Sequence, residues 1–578
     1  MDYIKVFLIG LIAVIAYYLL LQWSGLPELP EEDVVFEPAE ETTKTIKGEI
    51  LSDSKDLLTA LDTTPLKAAE SEAFKNTDLA SSRLFSISND VLRVEIDSLT
   101  GRYITADLIQ IKTEKGSDEA LSVFGTRQID TEEGCPVFLG AAQTSDGCTG
   151  TYFASSGFYS PGLGYLNPRF SSLEKMAMGD GSVIYILSGE NEDLLFTRRI
   201  LMRPSQFSLE VEDIVGLKGG TEPTNVVPYA RILRDGQRPS RGFLDFESFT
   251  YLGPAFSTEN DSFRKLDFGD LGENGFEEES LGGWLALAQR YFVSSWVPQQ
   301  GERHKFQARR VSSGAYSIAL TSQNRLLLAS EPASYKNTLY VGPKISDNLT
   351  KLHPDLGLVV DYGFLWWLSE PIHKLMAWGF GFLGNWGFAI LFATIILKAI
   401  LWPLSAAGYK SAARMRAVAP EMAELQQKYA NDKQKLGQEM MAFYKKKGVS
   451  PLGGCLPMLL QMPFFLAFYW VLLDMVELRH APFVFWITDL SSRDPFFVLP
   501  ILNAGLMYYS QKMMPVTPSS DPTQQQMQSA MKFMPLMIAG MFSIFPAGFV
   551  LYFTIQSLIT VIQQALSFKK AGISLKSV

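Results

Sequence analysis

A single lysine, Lys398, lies inside an apolar stretch, where a charged group is costly. Eleven uncharged residues, 387–397, precede it. A lysine at the centre of a membrane helix costs about 2.5–3.5 kcal/mol on insertion scales. Either the flexible side chain extends to the lipid headgroups, or the ammonium group faces a water-containing cavity that is open to the cytoplasm. Thr394, one helical turn away on the same face, favours the cavity, whose charge would attract acidic groups.

Uncharged polar side chains lie at similar depth in the other apolar stretches. They are Gln461, Asn503, Thr554, Gln556, Ser557, Thr560, Gln563 and Gln564. Each one alone is explained by a hydrogen bond between helices, worth about 0.6 kcal/mol on average. Together with Lys398 they require an aqueous or protein-lined interior within the membrane.

The sequence contains no motif for a familiar catalytic chemistry. It lacks the GxxxxGK[ST] phosphate loop, the HExxH metal motif and the GxSxG nucleophile motif. The four histidines are scattered and no CxxC pair occurs, so we expect neither a metal site nor a cofactor. These absences predict a protein that is not an enzyme.

The composition describes two different parts. Of the 578 residues 47% are hydrophobic and 19% are charged, which is too apolar for a soluble enzyme. Residues 24–351 carry 32 Lys and Arg against 48 Asp and Glu, whereas the rest of the chain carries 19 against 13. The chain therefore combines an acidic globular part with a basic, apolar part, and the acidic part argues against DNA as a partner.

Apolar stretches at both ends of the chain predict membrane spans. They cover residues 6–21, 386–404, 455–473, 496–514 and 533–566. The last stretch is too long for a hydrocarbon core of about 30 Å, and Pro546 and Gly548 divide it into two. We predict an N-terminal anchor, residues 1–23, and a five-helix core within residues 384–568, which makes six spans. A cleaved signal peptide is the alternative for the anchor, although no small-x-small cleavage site follows it.

The basic residues orient these spans. The 405–453 connection carries nine basic residues against four acidic ones, and the basic tail, residues 569–578, carries three lysines and no acid. The positive-inside rule places both in the cytoplasm, and six spans then place the N-terminus there too. The acidic part lies outside, which predicts a multi-pass protein of the inner membrane with a large periplasmic domain.

The acidic part has the pattern of an all-β domain. After a linker at residues 24–50, residues 51–350 contain short stretches of alternating polarity bounded by turn residues. These stretches begin at Phe85, Leu92, Ser182, Phe207 and Tyr316. We predict a large antiparallel β-sandwich. Aromatic residues could line a glycan cleft there, although core packing is their more frequent role. Cys135 and Cys148 could pair in an oxidising compartment, but their spacing does not decide it.

Two segments beside the spans have helical periodicity. Residues 360–376 predict an amphipathic helix on the outer membrane surface. Residues 405–450 predict a cytoplasmic hairpin of two short helices, in which Pro420 kinks the first helix or opens its main part. The apolar positions of the hairpin are Met415, Val418, Met422, Leu425, Tyr429, Leu436, Met440 and Phe443. Its basic charge suits an acidic or RNA partner, but the positive-inside rule explains the charge equally well.

Five motifs occur in order in the C-terminal part. They are NWGF (385–388), KLGQEMMAFY (435–444), PLGGCLPMLLQMP (451–463), PFVFWITDL (482–490) and FPAG with LY (545–548 and 551–552). These motifs closely resemble those of the YidC-type membrane protein insertases, relatives of the mitochondrial Oxa and chloroplast Alb proteins. The exported domain is similar to that of the Gram-negative form in position and pattern.

The resemblance implies a hydrophilic groove that is open to the cytoplasm and to lipid but closed toward the outside. The implied groove residues are Lys398, Thr394, Gln461, Asn503, Tyr552, Phe553 and Gln556. Lys398 stands where many Gram-negative members have arginine, and Phe553 stands where relatives often have tyrosine. The apolar surface along which a client helix would slide into lipid contains Met458, Met462, Phe465 and Met534.

The implied function is insertion and chaperoning of nascent membrane proteins without nucleotide hydrolysis, alone or with the Sec translocon. The cytoplasmic hairpin and the basic tail would contact the ribosome, and the spans would contact membrane lipids. A secondary transporter or channel with a periplasmic binding domain is the alternative. Against it, no acidic residue lies in the core of a span and no inverted repeat is evident.

Overall fold

The computed structural model describes most of the chain after residue 83. The described residues are 84–113, 115–126, 151–219, 222–235, 251–271, 275–311, 315–429, 432–449, 456–513 and 522–570, with two short strands at 142–144 and 147–149. The predicted anchor, the predicted linker and residues 571–578 of the basic tail lie outside the described residues. So do Cys135 and Cys455, and the pairing of Cys135 with Cys148 therefore stays a prediction.

Strands occupy most of the described chain up to residue 343. The first are β1 (Leu84–Ser88), β2 (Leu92–Asp97), β3 (Tyr103–Lys112), β4 (Ala120–Ser122), β5 (Gly125–Thr126), β6 (Ala142–Thr144), β7 (Gly147–Thr149), β8 (Thr151–Ser160), β9 (Gly164–Tyr165), β10 (Phe170–Ala177), β11 (Val183–Glu190) and β12 (Leu194–Met202). They continue as β13 (Ser208–Leu217), β14 (Thr224–Asp235), β15 (Gly253–Ser257), β16 (Arg264–Lys265), β17 (Phe276–Leu281), β18 (Trp284–Ala288), β19 (Phe292–Pro298), β20 (Arg303–Arg310), β21 (Ala315–Ser322), β22 (Arg325–Leu327) and β23 (Ala333–Pro343). Each of the five stretches of alternating polarity overlaps one of these strands, although Ser182 and Phe207 come directly before β11 and β13.

These strands form two large antiparallel sheets. The first has the order β1-β2-β3-β8-β14-β21-β20-β17, with β4, β5, β9 and β22 paired at its margins. The second has the order β10-β11-β12-β13-β23-β19-β18-β15-β16. Strand β12 alternates between buried and less buried residues, as a strand with one face in a core does.

The two sheets pack face to face around one apolar core. Tyr103 of the first sheet lies edge-on to Trp296 of the second, with ring centroids 5.9 Å apart. Across the same interface the hydroxyl groups of Tyr152 and Ser294 are 2.8 Å apart. The described β-domain is therefore a β-sandwich.

Helices follow from residue 346. They are α1 (Ser346–Thr350), α2 (Trp366–Leu383), α3 (Trp386–Ile400), α4 (Trp402–Ala417), α5 (Ala419–Lys428), α6 (Lys433–Lys447), α7 (Leu456–Asp474), α8 (Val498–Met513), α9 (Pro522–Phe542) and α10 (Ala547–Lys570). The sequence predicted a helix over 360–376, whereas α2 begins and ends later. Gly363 has a φ of +67° in a tight turn against Trp470, and Gly384 ends α2 in the left-handed conformation.

The apolar stretch 386–404 is not one straight helix. Helix α3 ends at Ile400, and α4 begins at Trp402 with a bend of 65° between the two axes. Pro403 lies in the first turn of α4, where its missing N–H costs nothing. Helix α9 also departs from the apolar pattern, because it starts eleven residues before the predicted span at 533.

By length and composition, one described helix could cross a membrane, namely α10. A second candidate exists if the bent pair of α3 and α4 is a single span. Shorter apolar helices occur at Gln461–Asp474 and Lys532–Phe542. The count of six spans therefore stays a prediction.

The segment predicted as a two-helix hairpin, residues 405–450, contains three helices, because most of α4 precedes α5 and α6 in it. Pro420 lies in the first turn of α5, so it opens that helix and does not kink it. The side chain of Asp432 caps α6 by accepting a hydrogen bond from the backbone N–H of Lys435, at 3.0 Å. Glu421 and Lys447 form an ion pair at 2.6 Å that joins the two helices.

Candidate functional site

Helix α3 presents Lys398 to the interior of the helical part. Asn385 caps the start of the helix, because its side chain accepts a hydrogen bond from the backbone N–H of Phe388 at 3.2 Å. Thr394 and Lys398 follow on one face, one turn apart. Lys398 is only 3% exposed although it lies near the end of the helix.

The ammonium group of Lys398 has two hydrogen-bond acceptors in the part of the chain that the structure describes. Nζ lies 2.9 Å from Oγ1 of Thr560 on α10 and 3.2 Å from Oε1 of Gln461 on α7. Both acceptors are uncharged. Among the described residues, no carboxylate forms an ion pair with Lys398, so its charge is buried without a counter-ion.

Gln461 joins this lysine to two further helices. Its Oε1 also accepts a hydrogen bond from Nε2 of Gln556, at 3.3 Å. Its own Nε2 donates to Oγ of Ser405 on α4, at 3.2 Å. We name Lys398, Ser405, Gln461, Gln556 and Thr560 the Lys398 cluster. The cluster connects α3, α4, α7 and α10 through polar side chains.

A narrow cavity of about 10 Å³ lies beside the cluster. It is lined by Thr394, Leu397, Lys398, Leu401, Gln461, Phe464, Phe468, Tyr552 and Gln556. Such a space holds about one water molecule. Five of the seven predicted groove residues line this cavity.

The cavity is narrower than the open groove that the sequence predicted. Thr394 is 1% exposed, and its hydroxyl donates to the backbone carbonyl of Ile390 at 2.7 Å. The rings of Phe468 and Tyr552 stack with centroids 4.3 Å apart on the cavity wall. Among the described residues, Lys398, Gln461 and Gln556 find hydrogen-bond partners in neighbouring helices, whereas the buried side-chain amide of Gln563 has none.

Asn503 and Phe553 lie outside the cavity lining. Asn503 is fully buried on α8 and donates to Oγ of Ser557 at 3.2 Å, on another side of α10. Phe553 packs in an aromatic group with Phe465 and Phe542, at centroid distances of 5.1 and 4.8 Å.

The residues predicted to guide an apolar client lie on two helices. Met462 is 40% exposed and Phe465 is half-buried on α7, whereas Met534 is half-buried on α9. The side chain of Met458 lies outside the described residues. Several neighbours on α8 and α9 are also exposed and apolar, including Ile501, Leu502, Leu536 and Met537. A surface of this kind suits contact with lipid or with an apolar helix.

The hairpin residues form a small core of their own. Met415 and Met422 are buried against Val449, and Met440 packs against them. Leu425 and Tyr429 are half-buried. The ammonium groups of Lys428 and Lys435 lie 5.6 Å from the ring of Tyr429.

Two members of the cluster were not among the predicted groove residues. Thr560 follows Gln556 by one helical turn, so the polar face of α10 contained the signal for it. Ser405 lies beyond the bend between α3 and α4. It follows Lys398 by seven residues, or two helical turns, so the helical period pointed to it although the bend interrupts the helix.

Comparisons with known proteins find relatives along the whole chain. The family described as 60Kd inner membrane protein matches residues 378–572, and the YidC periplasmic domain matches residues 142–375. A membrane protein insertase YidC from Stutzerimonas stutzeri is 34% identical over 575 residues and covers 98% of each chain. Another from Pseudoalteromonas atlantica is 36% identical over 517 residues, which cover 89% of this chain and 90% of the relative.

A solved structure of an active YidC insertase, with its first transmembrane domain resolved, covers 84% of this chain and 92% of its own. Its TM-score is 0.33 and its sequence identity is 14%. The two family matches meet near residue 376, which lies within α2.

Proposed function

The chain belongs to the YidC family of membrane protein insertases, and from that premise we propose that the Lys398 cluster receives the polar segment of a client. The client's apolar helix then moves into lipid along α7 and α9. The relatives are inner-membrane proteins with a periplasmic domain. The observation that carries the proposal is the buried charge of Lys398, whose hydrogen-bond partners in the described part of the chain are neutral.

Charge supports this role for Lys398. A cation without a counter-ion in a low-dielectric interior attracts an anion strongly. The present acceptors, Gln461 and Thr560, are neutral and therefore exchangeable. An acidic residue in a client's polar tail would form a charge-assisted hydrogen bond, which is about twice as strong as a neutral one.

Entry of a client requires the cluster to open. The cavity holds about one water molecule, so the surrounding helices must separate before a chain segment enters. The bend between α3 and α4 can act as the hinge for this movement, because Leu401 connects two helices whose axes differ by 65°. Movement of α4 would break the Gln461–Ser405 hydrogen bond and open the cluster toward the cytoplasm.

The client supplies the free energy for its own insertion. Burial of its apolar helix in lipid is favourable by about 0.8 kcal/mol for each CH₂ group. The membrane potential adds about 2.3 kcal/mol per charge per 100 mV for acidic tails that move outward. No covalent step and no nucleotide enters the mechanism.

The proposed arrangement in the membrane has six spans and both termini in the cytoplasm. We propose that the α5–α6 hairpin and the basic tail contact the ribosome. The run Lys445–Lys447 at the end of α6 supports this contact, since its three side chains are basic and exposed. Cooperation with the Sec translocon is part of the proposal, as the resemblance to the family implies.

Reconstitution tests the proposed function. Purified full-length protein in liposomes should insert a single-span client with a short acidic tail in the absence of nucleotide. Protease protection of the tail measures the insertion, and protein-free liposomes give the background. Failure to insert, together with uptake of a small solute, would favour the transporter alternative.

A further inference from the structure

An exposed aromatic turn lies between α7 and α8, and the proposed insertion path does not use it. The turn comprises residues 482–487, within the motif PFVFWITDL, and we name it the aromatic turn. Residues 481–488 carry no charged side chain. Phe485 is 89% exposed, and its ring stacks on that of Trp486 with centroids 6.0 Å apart. Turns that face water are usually built from polar residues and glycine, so this composition indicates a less polar environment.

Hydrogen bonds hold the aromatic turn in one conformation. The N–H of Phe483 donates to the carbonyl of Ile487 at 2.9 Å, and the N–H of Ile487 donates to the carbonyl of Val484 at 3.2 Å. Phe485 is therefore one of the two central residues of the turn, and its φ is +56°. A residue other than glycine seldom adopts this left-handed conformation, because it costs free energy. The turn thus displays a large apolar ring at a strained position that glycine would occupy more easily.

Asp494 joins the aromatic turn to the start of α8. Its Oδ1 accepts hydrogen bonds from Nε1 of Trp486 at 3.0 Å and from the N–H of Phe496 at 3.1 Å. Its Oδ2 accepts one from the N–H of Leu499 at 2.7 Å. The carboxylate is buried, whereas Phe496 is 66% exposed and Ile501 on α8 is 67% exposed. An exposed apolar surface therefore continues from the turn along α8.

The starts of α3 and α10 are bonded to the same loop. Nδ2 of Asn385, which caps α3, donates to the carbonyl of Pro482 at 3.0 Å. The N–H of Ala547, the first residue of α10, donates to the carbonyl of Ser492 at 2.7 Å. Helix α10 has 24 residues and is about 36 Å long, which is enough to cross a hydrocarbon core of about 30 Å. The start of α10, and the loop bonded to it, therefore lie at a membrane surface.

Contacts with the β-domain place this loop on the periplasmic side. Arg479, three residues before the aromatic turn, donates to the carbonyls of Lys112 and Thr113 at the end of β3, at 2.7 and 2.8 Å. Strand β3 belongs to the same sheet as β8 and β14, which lie within the matched periplasmic domain. The aromatic turn is therefore at the periplasmic surface of the inner membrane.

We propose that the aromatic turn inserts into the periplasmic leaflet of the inner membrane, with the ring of Phe485 at the boundary between headgroups and acyl chains. Its partner is a lipid surface, because an uncharged aromatic turn at the level of the helix starts matches the aromatic belt of membrane proteins. The rigid turn is bonded to the starts of α3, α8 and α10, so its insertion fixes the depth of these helices in the bilayer. The inference does not require a client to enter the Lys398 cluster.

The test uses the full-length protein in liposomes of phosphatidylethanolamine and phosphatidylglycerol. In a protein whose three cysteines are replaced by serine, Phe485→Cys and Phe496→Cys each carry the environment-sensitive fluorophore NBD. The matched control is Leu195→Cys on β12, where the side chain is 46% exposed. Strand register places Leu195 level with the start of β23, and the helical part follows the other end of that strand, about 33 Å away.

We expect the label at position 485 to emit at a shorter wavelength than the label at position 195. It should lose its intensity with lipids that carry a nitroxide on the acyl chain, and iodide present on both sides of the membrane should not quench it. The label at position 195 should respond to iodide and not to the nitroxide lipids.

Equal emission and equal iodide quenching at positions 485 and 195 would overturn the proposal. Shielding from iodide without quenching by the nitroxide lipids would overturn it as well, because protein and not lipid would then cover the turn. Circular dichroism checks that the labelled proteins are folded. If Phe485→Cys does not fold, the label at position 496 decides by the same criteria.

Discussion

The ammonium nitrogen of Lys398 lies 2.9 Å from the hydroxyl oxygen of Thr560, across the interface between α3 and α10. The same nitrogen lies 3.2 Å from the amide oxygen of Gln461. Among the described residues, the ammonium group of Lys398 is thus bound by two neutral acceptors. Its positive charge can still attract a third group that is negatively charged. The predictions for the cluster follow from this arrangement.

Substitutions of Lys398 test whether the charge of this side chain or its shape matters for insertion. Lys398→Arg keeps the charge and should retain most insertion activity, whereas Lys398→Leu removes it and Lys398→Glu reverses it. Loss of about 1.4 kcal/mol of attraction for an acidic tail slows insertion about tenfold. Initial insertion rates into liposomes measure this. A client with a neutral tail is the control and should show a much smaller effect; equal rates for all three variants would contradict a role for the charge.

Gln461 offers the complementary experiment. Gln461→Glu places a fixed carboxylate beside Lys398, which a client's acidic group must then displace, so insertion should slow about tenfold or more. Gln461→Leu removes a neutral acceptor and should slow it by about fivefold at most, for about 1 kcal/mol. Insertion assays with the acidic-tail client compare the two.

The matched control for these variants is Gln438→Glu on the exposed surface of α6. It should insert clients as the wild type does. A Gln461→Glu protein that is as active as wild type would show that the charge of Lys398 need not be free.

A buried ion pair should stabilise the contact between the β-domain and α7. Lys344 and Asp474 are 3.5 Å apart, with side chains 3% and 16% exposed. Lys344→Leu leaves the carboxylate buried without its partner and should destabilise the protein by about 3 kcal/mol. Lys344→Leu combined with Asp474→Leu should recover most of that loss. Denaturant titrations of the full-length protein in detergent give the double-mutant cycle, and a double variant as unstable as Lys344→Leu alone would disagree with this account.

The β-domain should lose stability in mild acid through His304. Its Nε2 lies 3.0 Å from the carbonyl oxygen of Gln299 and its Nδ1 lies 2.8 Å from Oγ of Ser322. Burial lowers the pKa of His304, while Glu302 raises it and Arg325 lowers it by smaller amounts. The folded pKa lies below the unfolded value of about 6.5, so the contribution is full above that value and is lost as the pH falls through the folded pKa.

The measurement is the denaturant midpoint of the full-length protein between about pH 7.5 and pH 5. The wild type should lose stability over this range, and His304→Gln should show a flatter dependence. Only the slopes are compared, because the substitution changes packing as well. Identical slopes would remove His304 as the source of the effect.

Sequence reasoning located features that depend on local periodicity. Alternating polarity placed strands such as β2 and β21, and helical spacing placed Thr394 beside Lys398. The polar residues of the apolar stretches also included Gln461 and Gln556, which the fold brings to the lysine. The strands and the Thr394–Lys398 pair follow from the period of one element.

Features that depend on the relative placement of elements were not predictable in this way. The 65° bend after Ile400 lies between Lys398 and Ser405, and nothing in the period of α3 specifies that angle. The narrow cavity beside Lys398 depends on α3, α7 and α10 at once. The Lys344–Asp474 pair joins residues more than a hundred positions apart, and only the tertiary fold makes them neighbours.

Cross-linking during insertion tests the central claim most directly. In a protein with Cys135, Cys148 and Cys455 replaced by serine, Thr394→Cys places a thiol in the cavity lining, and Ile395→Cys places one on the outer side of α3, where the residue is 53% exposed. A client with one cysteine in its polar tail should form a disulfide with position 394 while it is being inserted, and little with position 395. Complete insertion of the client without any cross-link to position 394 would contradict passage of the tail through the Lys398 cluster.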